Sequence, residues 1–264
     1  MTAISSEPLR LVHGRYLMAA GADLRARVTA AFDVRRRRHV VLKRGADAAA
    51  LAEEFRLLRA HEHAGLPQAL DFHVGDGRCD LVEERALGTP LSALHGALGP
   101  AELALVAVRV AEVLAFLHRT GVFHRDVKPD HVFLRAGASP GEEVKLVDLD
   151  LAVRAVVAGA APPAGTEPFI APEVLAGEEV GPAADFFGLG ATLAALGPPP
   201  DPAFTALIAA LCAQDPRARP TTPEAVRALV PIAIPEPGAG PGRSILPRPA
   251  PLAAIMERWA AAAA

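Results

Sequence analysis

The sequence predicts an α+β protein in which a small β-rich part precedes a larger helical part, with a cleft between the two. Three observations lead there. Short apolar runs broken by Gly and charged turns fill the first third of the chain. After "LGTPL" the apolar residues change to helical spacing. Of the 264 residues, 51% are hydrophobic, enough for a sizeable core and too many for a disordered chain.

Taken in order, "GRYLMAA", "RVTAAFDV" and "HVVLKR" predict three antiparallel strands between Arg15 and Lys43. The run Arg35-Arg36-Arg37-Arg38 falls between two of them and reads as a solvated hairpin turn. A helix begins near Asp47, a residue suited to N-capping, with Leu51, Phe55 and Leu58 on one face. Two further strands are expected at Ala69 to His73 and Cys79 to Glu84. Pro100 opens a long helix whose apolar positions run through Leu117, and Gly121 stops it. From Ala183 the chain reads as helical, with "DFFGLGATLAAL" and "PAFTALIAALC" apolar nearly all round and therefore buried. Beyond Pro231 the Pro- and Gly-rich stretch "PIAIPEPGAGPGRSILPRPAP" reads as an extended arm, ending in a short helix at "LAAIMERWAAAA".

Composition excludes some classes. A net charge of −3 provides no basic field for nucleic acid. Two cysteines, Cys79 and Cys212, make no disulfide framework, so a reducing cytoplasm is expected. No stretch reaches the ~18 uncharged apolar residues of a membrane span. The abundance of Ala, Pro and Gly fits a high-GC bacterial genome.

The chemistry concentrates in "VFHRDVKPDHVFLR", residues 122–135. Phosphoryl transfer needs a group that orients the acceptor hydroxyl, cations against the phosphates and carboxylates for a metal. Asp126 can accept a hydroxyl proton, and Lys128, two residues on, can reach a transferring phosphate. "VKLVDLDLA", "GTEPFIAPE", "DFFGLG" and "DPRARPT" follow in that order.

With these five motifs, over roughly residues 10–230, the chain resembles the eukaryotic-type protein kinases in their bacterial Ser/Thr form. The resemblance implies a bilobal protein-kinase-like fold, with an N-lobe over 10–84, a C-lobe over 85–230, an extension over 1–9 and a tail over 231–264. It implies ATP with Mg²⁺ or Mn²⁺, and a protein substrate or regulatory protein partner. Asp126 would be the catalytic base and Lys128 its helper. Lys43 would grip the α- and β-phosphates, with Glu54 as its partner. Gly21, Val28, Val41, Glu84 and Phe133 would complete the nucleotide site, and Asp148 would bind metal. Glu173 and Arg219 would form an ion pair in the large lobe, Asp185 would brace the catalytic loop, and His118 and His124 would be structural.

Four departures from the family pattern bear on activity. The phosphate-covering loop is "GADLRARV", with Asp23 and Ala26 where glycines are expected, which predicts weakened ATP binding. Val41 and Phe133 crowd the adenine pocket, and the expected gatekeeper is Glu83, a costly residue if buried without compensation. His131 replaces the metal-binding Asn; an imidazole suits Mn²⁺ or Zn²⁺ better than Mg²⁺. Asp150 replaces the Gly of "DFG" and, on an extended segment, would place a second carboxylate on the side of Asp148. The pairing of His131 with "DLD" is similar to the lipopolysaccharide core kinases, in which the His variant occurs in functioning enzymes.

Between Asp148 and Glu173 the one hydroxyl is Thr166, so no site for activating phosphorylation is offered to Arg125. Three readings stand at this point: an active Ser/Thr-directed kinase with a modified metal site, a pseudokinase serving as a binding module, and a glycan or small-molecule kinase.

Overall fold

The computed structural model describes residues 10–18, 22–23, 25–75, 78–135, 137, 143–154, 164–178, 180–198 and 201–230. Gly21, the expected extension over 1–9 and the expected tail with its terminal helix lie outside the described residues. The chain divides into two compact units. The first runs to Ala60 and resumes over Pro67–Arg85; the second takes in His61–Leu66 and the chain from Ala86.

In the first unit, six strands form one antiparallel sheet: β1 (Arg10–Val12), β2 (Tyr16–Met18), β3 (Val28–Asp33), β4 (Arg38–Gly45), β5 (Ala69–Gly75) and β6 (Arg78–Glu84). Their order is β1-β2-β3-β4-β6-β5. β1 was not expected from the sequence, where "RLV" is too short to show alternation. His13, in the turn between β1 and β2, bonds through Nε2 to Asp80 Oδ2 of β6 at 2.7 Å, so the sheet curls back on itself. Helix α1 (Ala48–Ala60) packs on β4, β5 and β6. Asp47 caps it: Oδ1 accepts the N–H groups of Ala49 and Ala50, both at 3.0 Å.

Strand alternation sorts the side chains. Tyr16, Met18, Ala31, Val40, Leu42 and Val82 form the core on one face. Truncating a residue such as Leu42 to Ala in so dense a cluster costs about 2–5 kcal/mol. The opposite face meets α1, as the Phe55 and Phe72 rings show at 5.6 Å. Paired residues share a face, so the register Lys43↔Leu81↔Phe72 puts Lys43 on the α1 side. The four-arginine segment is the β3–β4 turn. It is tied down by Asp33 Oδ1, which accepts the N–H groups of Arg35 and Arg36 at 3.0 and 3.1 Å.

The second unit is built on α2 (Pro100–Arg119), which opens with Pro100 in its first turn. Thirteen of its 20 residues are buried. That many inward positions identify a central helix enclosed by its neighbours, not one lying half in water. It packs against α4 (Pro182–Ala195) and α6 (Pro223–Leu229). Gly121, at φ 74°, takes the chain out of α2 in a conformation that favours glycine. α5 (Pro202–Leu211) crosses α4 so closely that a Cβ on Gly190 would lie 2.6 Å from that of Leu211. α3 (Pro172–Leu175) is a single turn. Short strands form two small antiparallel sheets: β7 (Thr89–Pro90), β9 (Val132–Leu134) and β10 (Val144–Leu146) in one, β8 (Val122–Phe123) and β11 (Val153–Arg154) in the other. Among the described residues, no helix is long and apolar enough to cross a membrane.

Candidate active site

Between β8 and β9, residues 124–128 form neither helix nor strand. Arg125 holds φ 69°, a left-handed conformation uncommon outside glycine, and a 3₁₀ turn at Pro129–His131 follows. Asp185 of α4 holds it in place. Its buried carboxylate accepts the N–H of His124 at 2.9 Å and of Arg125 at 2.7 Å, and receives His118 Nε2 at 2.8 Å. Burial alone would push this carboxyl upward, but the hydrogen bond from His118 and the backbone N–H of Arg125 outweigh it and hold it below its usual range. His124 is fully buried, with Nε2 3.3 Å from the Val147 carbonyl, and burial depresses its basicity.

Three groups then converge. Thr166 donates its hydroxyl to Asp126 Oδ1 at 2.8 Å, while Lys128 Nζ donates to Asp126 Oδ2 and to Thr166 Oγ1, each at 2.7 Å. Gly165 permits this approach: at φ 138°, a Cβ there would lie 2.9 Å from the Arg125 carbonyl. A carboxylate accepting from a hydroxyl whose oxygen also accepts from an ammonium is the arrangement that orients an acceptor alcohol.

His131 is held by Nδ1, 2.9 Å from the Asp126 carbonyl. A carbonyl only accepts, so Nδ1 carries the proton and Nε2 presents its lone pair. That lone pair lies 3.3 Å from Asp148 Oδ2. Burial, more than any neighbouring charge, lowers the His131 basicity and favours the neutral ring. Asp148 is itself left-handed at φ 72°. Asp150 stands in a turn in which the Ala152 N–H bonds to the Leu149 carbonyl at 3.1 Å, so the extended spacing expected from Asp148 to Asp150 is absent. Among the described residues, no cluster of three or more His, Cys, Asp or Glu side chains is placed to hold a metal. Phe133 is half-buried on β9, paired with Lys145 and Pro90.

In the first unit, Lys43 Nζ meets Glu54 Oε1 at 2.5 Å, both side chains buried. Val41 and Val28 lie beside it: Val41 is two residues away on β4, and Val28 is its β3 partner, 52% exposed. Asp23 is exposed, its carboxylate accepting the Arg25 N–H at 2.8 Å. Glu84 alternates to the face away from Lys43, where Oε2 accepts the Gln68 N–H at 3.2 Å. Glu83 points the other way, with Oε1 3.7 Å from Lys43 Nζ. The sequence reading treated Glu83 as an adenine-pocket residue and missed this contact. Residues 41 and 43 on one strand and 81 and 83 on its neighbour share a face only through the pairing of β4 with β6, which local spacing does not show.

Elsewhere in the second unit, Arg219 grips Glu173 in bidentate fashion, at 2.6 and 2.8 Å, and its Nε donates to the Ala213 carbonyl.

A family model described as the protein kinase domain matches residues 25–201, more than half of the chain, and the chain belongs to that family. Its α+β, two-unit architecture is that of a protein kinase domain. Among individual proteins it is similar to a Ser/Thr protein kinase, pkn2, of Myxococcus xanthus, 33% identical over 157 residues. That match covers 54% of this chain and 18% of the relative. The Ser/Thr protein kinase US3 of human herpesvirus 1 is 32% identical over 146 residues, covering 53% of this chain and 30% of the relative. PknK of Mycobacterium tuberculosis is 39% identical over 104 residues, covering 38% and 9%. The chain thus spans less than a third of the length of these relatives.

Proposed function

We propose that the chain is an ATP-dependent phosphotransferase that acts on Ser or Thr hydroxyls of a protein. The observation that carries this reading is the closed set of Asp126, Lys128 and Thr166, with contacts of 2.7–2.8 Å. Asp126 would take the acceptor's proton as the hydroxyl attacks, while Lys128 would hold the acceptor oxygen and the transferred phosphoryl oxygens. Thr166 fixes the carboxylate so that one oxygen is aimed and the other anchored. Lys43, held by Glu54, supplies the cation for the nucleotide phosphates.

The residues present fit a divalent cation with few protein ligands. His131 Nε2 and Asp148 Oδ2 converge as two electron-pair donors 3.3 Å apart, an arrangement that a shared cation relieves. Mg²⁺ bound by one or two side chains plus phosphate oxygens is common in phosphotransferases, and an imidazole donor moves the preference toward Mn²⁺. A cation there would neutralise phosphate charge.

Thermal unfolding with ATP and either Mg²⁺ or Mn²⁺ tests the nucleotide part. At a hundred times the dissociation constant, ligand stabilises the fold by about 2.7 kcal/mol. The Asp148→Ala variant should lose the metal-dependent fraction of that gain. Radiolabel transfer from ATP to a generic Ser/Thr-rich protein tests the chemistry. Stabilisation by ATP without transfer would replace this reading with that of a nucleotide-binding pseudokinase, and transfer to sugar alone with that of a glycan kinase.

A further inference from the structure

Two buried carboxylates stand near the Lys43 ammonium. The ammonium is 2.5 Å from Glu54 Oε1 and 3.7 Å from Glu83 Oε1. All three residues are nearly out of solvent, at 4%, 1% and 4% exposure. Among these groups the carboxylates outnumber the ammonium two to one. Burial makes each charge costly and each interaction long-ranged, since little water screens it. Glu83 cannot turn away within the sheet: its register with Val41 fixes it on the face that α1 covers, two residues from the partner of Lys43.

We propose that Glu83 is an affinity-setting residue that competes with nucleotide phosphate for Lys43. This rests on the assignment of Lys43 as the phosphate-binding cation. A phosphate that approaches Lys43 meets an ammonium already flanked by two carboxylates. Of the two, Glu54 is in direct hydrogen-bond contact and Glu83 is the looser. Phosphate therefore displaces the interaction with Glu83 and adds charge repulsion against a carboxylate that stays in place. The expected result is a site whose hold on nucleoside phosphates is weakened by the Glu83 carboxylate.

The test is calorimetric titration of ATP, ADP and adenosine, with Mg²⁺ present, into the full chain and its Glu83→Gln and Glu83→Met variants. Both variants remove the charge; one keeps the shape and the other is apolar, so a folding defect in one leaves the other. ATP and ADP should bind about tenfold more tightly, or about 1.4 kcal/mol, in each folded variant. Adenosine, which has no phosphate, should change by less than about twofold. In a Lys43→Met background the effect of Glu83→Gln should vanish, because the group it acts through is gone. Equal tightening for adenosine and ATP would overturn the inference, since Glu83 would then act on the shape of the base pocket. Wild-type binding of ATP that Glu83→Gln leaves unchanged would also overturn it while the kinase reading survives. An absence of ATP binding in wild type and both variants would sink the two together.

Discussion

Two lysines carry the phosphate chemistry expected of this chain, and their surroundings differ. Lys128, in the second unit, meets one carboxylate and one hydroxyl, and its side chain is 16% exposed. Lys43, in the first, meets two carboxylates, and its side chain is 5% exposed. The Lys128 group is balanced: each oxygen of Asp126 accepts one short hydrogen bond, and the threonine both donates and accepts. Lys43 has two carboxylate oxygens near its ammonium, at 2.5 and 3.7 Å, with little water to screen them. The set of Asp126, Lys128 and Thr166 therefore keeps a composition suited to transfer, while Lys43 has a second buried carboxylate for a neighbour.

The largest effect expected is at the balanced site. Asp126→Asn keeps the volume and removes the base, and should lower phosphoryl transfer by about 10²- to 10⁴-fold. Nucleotide-dependent thermal stabilisation should persist, since the base is not a phosphate ligand. An equal loss of both would mean that Asp126 holds the loop together and does no proton transfer.

Next come opposite changes in stability. Arg219→Ala leaves Glu173 buried without its bidentate partner and should cost about 3–5 kcal/mol in a denaturant titration. Glu83→Met removes one of the two carboxylates near Lys43 and should leave stability unchanged or raise it. If Glu83→Met instead destabilised the fold as much as Arg219→Ala, the role of Glu83 as a competitor for Lys43 would be refuted.

Thr166→Val should lower transfer by about 10- to 100-fold, the worth of hydrogen bonds to charged groups of about 1.5–3 kcal/mol. Thr166→Ser should restore most of the rate. A valine variant with full activity would show that Lys128 alone positions Asp126.

Acidification should weaken the fold in two stages. His124 is held below the ordinary value of 6.5 by burial. The unfolded chain therefore takes up that proton first, and stability falls as pH drops below 6.5. Asp185 is held below 3.8, so the stability it contributes is present above 3.8 and is lost as pH falls through its lower folded value. Circular-dichroism melts from pH 8 to pH 2.5 should show both stages, and Asp185→Asn should flatten the second. A melting temperature constant from pH 7 to pH 5 would contradict the buried neutral His124.

Much of this was legible in the residues. The helix over 100–119 and the strands at 69 and 79 follow from apolar spacing, and the candidate site at residues 122–135 follows from local motif chemistry. Contacts that depend on strand pairing were not. Glu83 and Lys43 are 40 positions apart, and they meet because β4 and β6 are neighbours in an order that skips β5. The extended spacing expected from Asp148 to Asp150 is absent for the reverse reason: a period of two holds only in extended chain, and a left-handed Asp148 followed by a turn breaks it. β1 was too short to show a period at all.

The smallest effect separates fold from charge at Lys43. Asp47 caps α1 with two hydrogen bonds at 3.0 Å, and Asp47→Ala should cost about 1 kcal/mol in a denaturant titration. Fraying should be confined to the first turn, because a lost cap exposes only the leading N–H groups. Glu54 lies beyond that turn and is fixed by its own burial at 1% exposure. The affinity for ATP should therefore stay within about twofold of wild type, set against the tenfold gain expected of Glu83→Gln. If loss of the cap weakened ATP binding as strongly as charge removal strengthens it, the position of α1, and with it Glu54, would govern Lys43, and the role assigned to Glu83 would shrink accordingly.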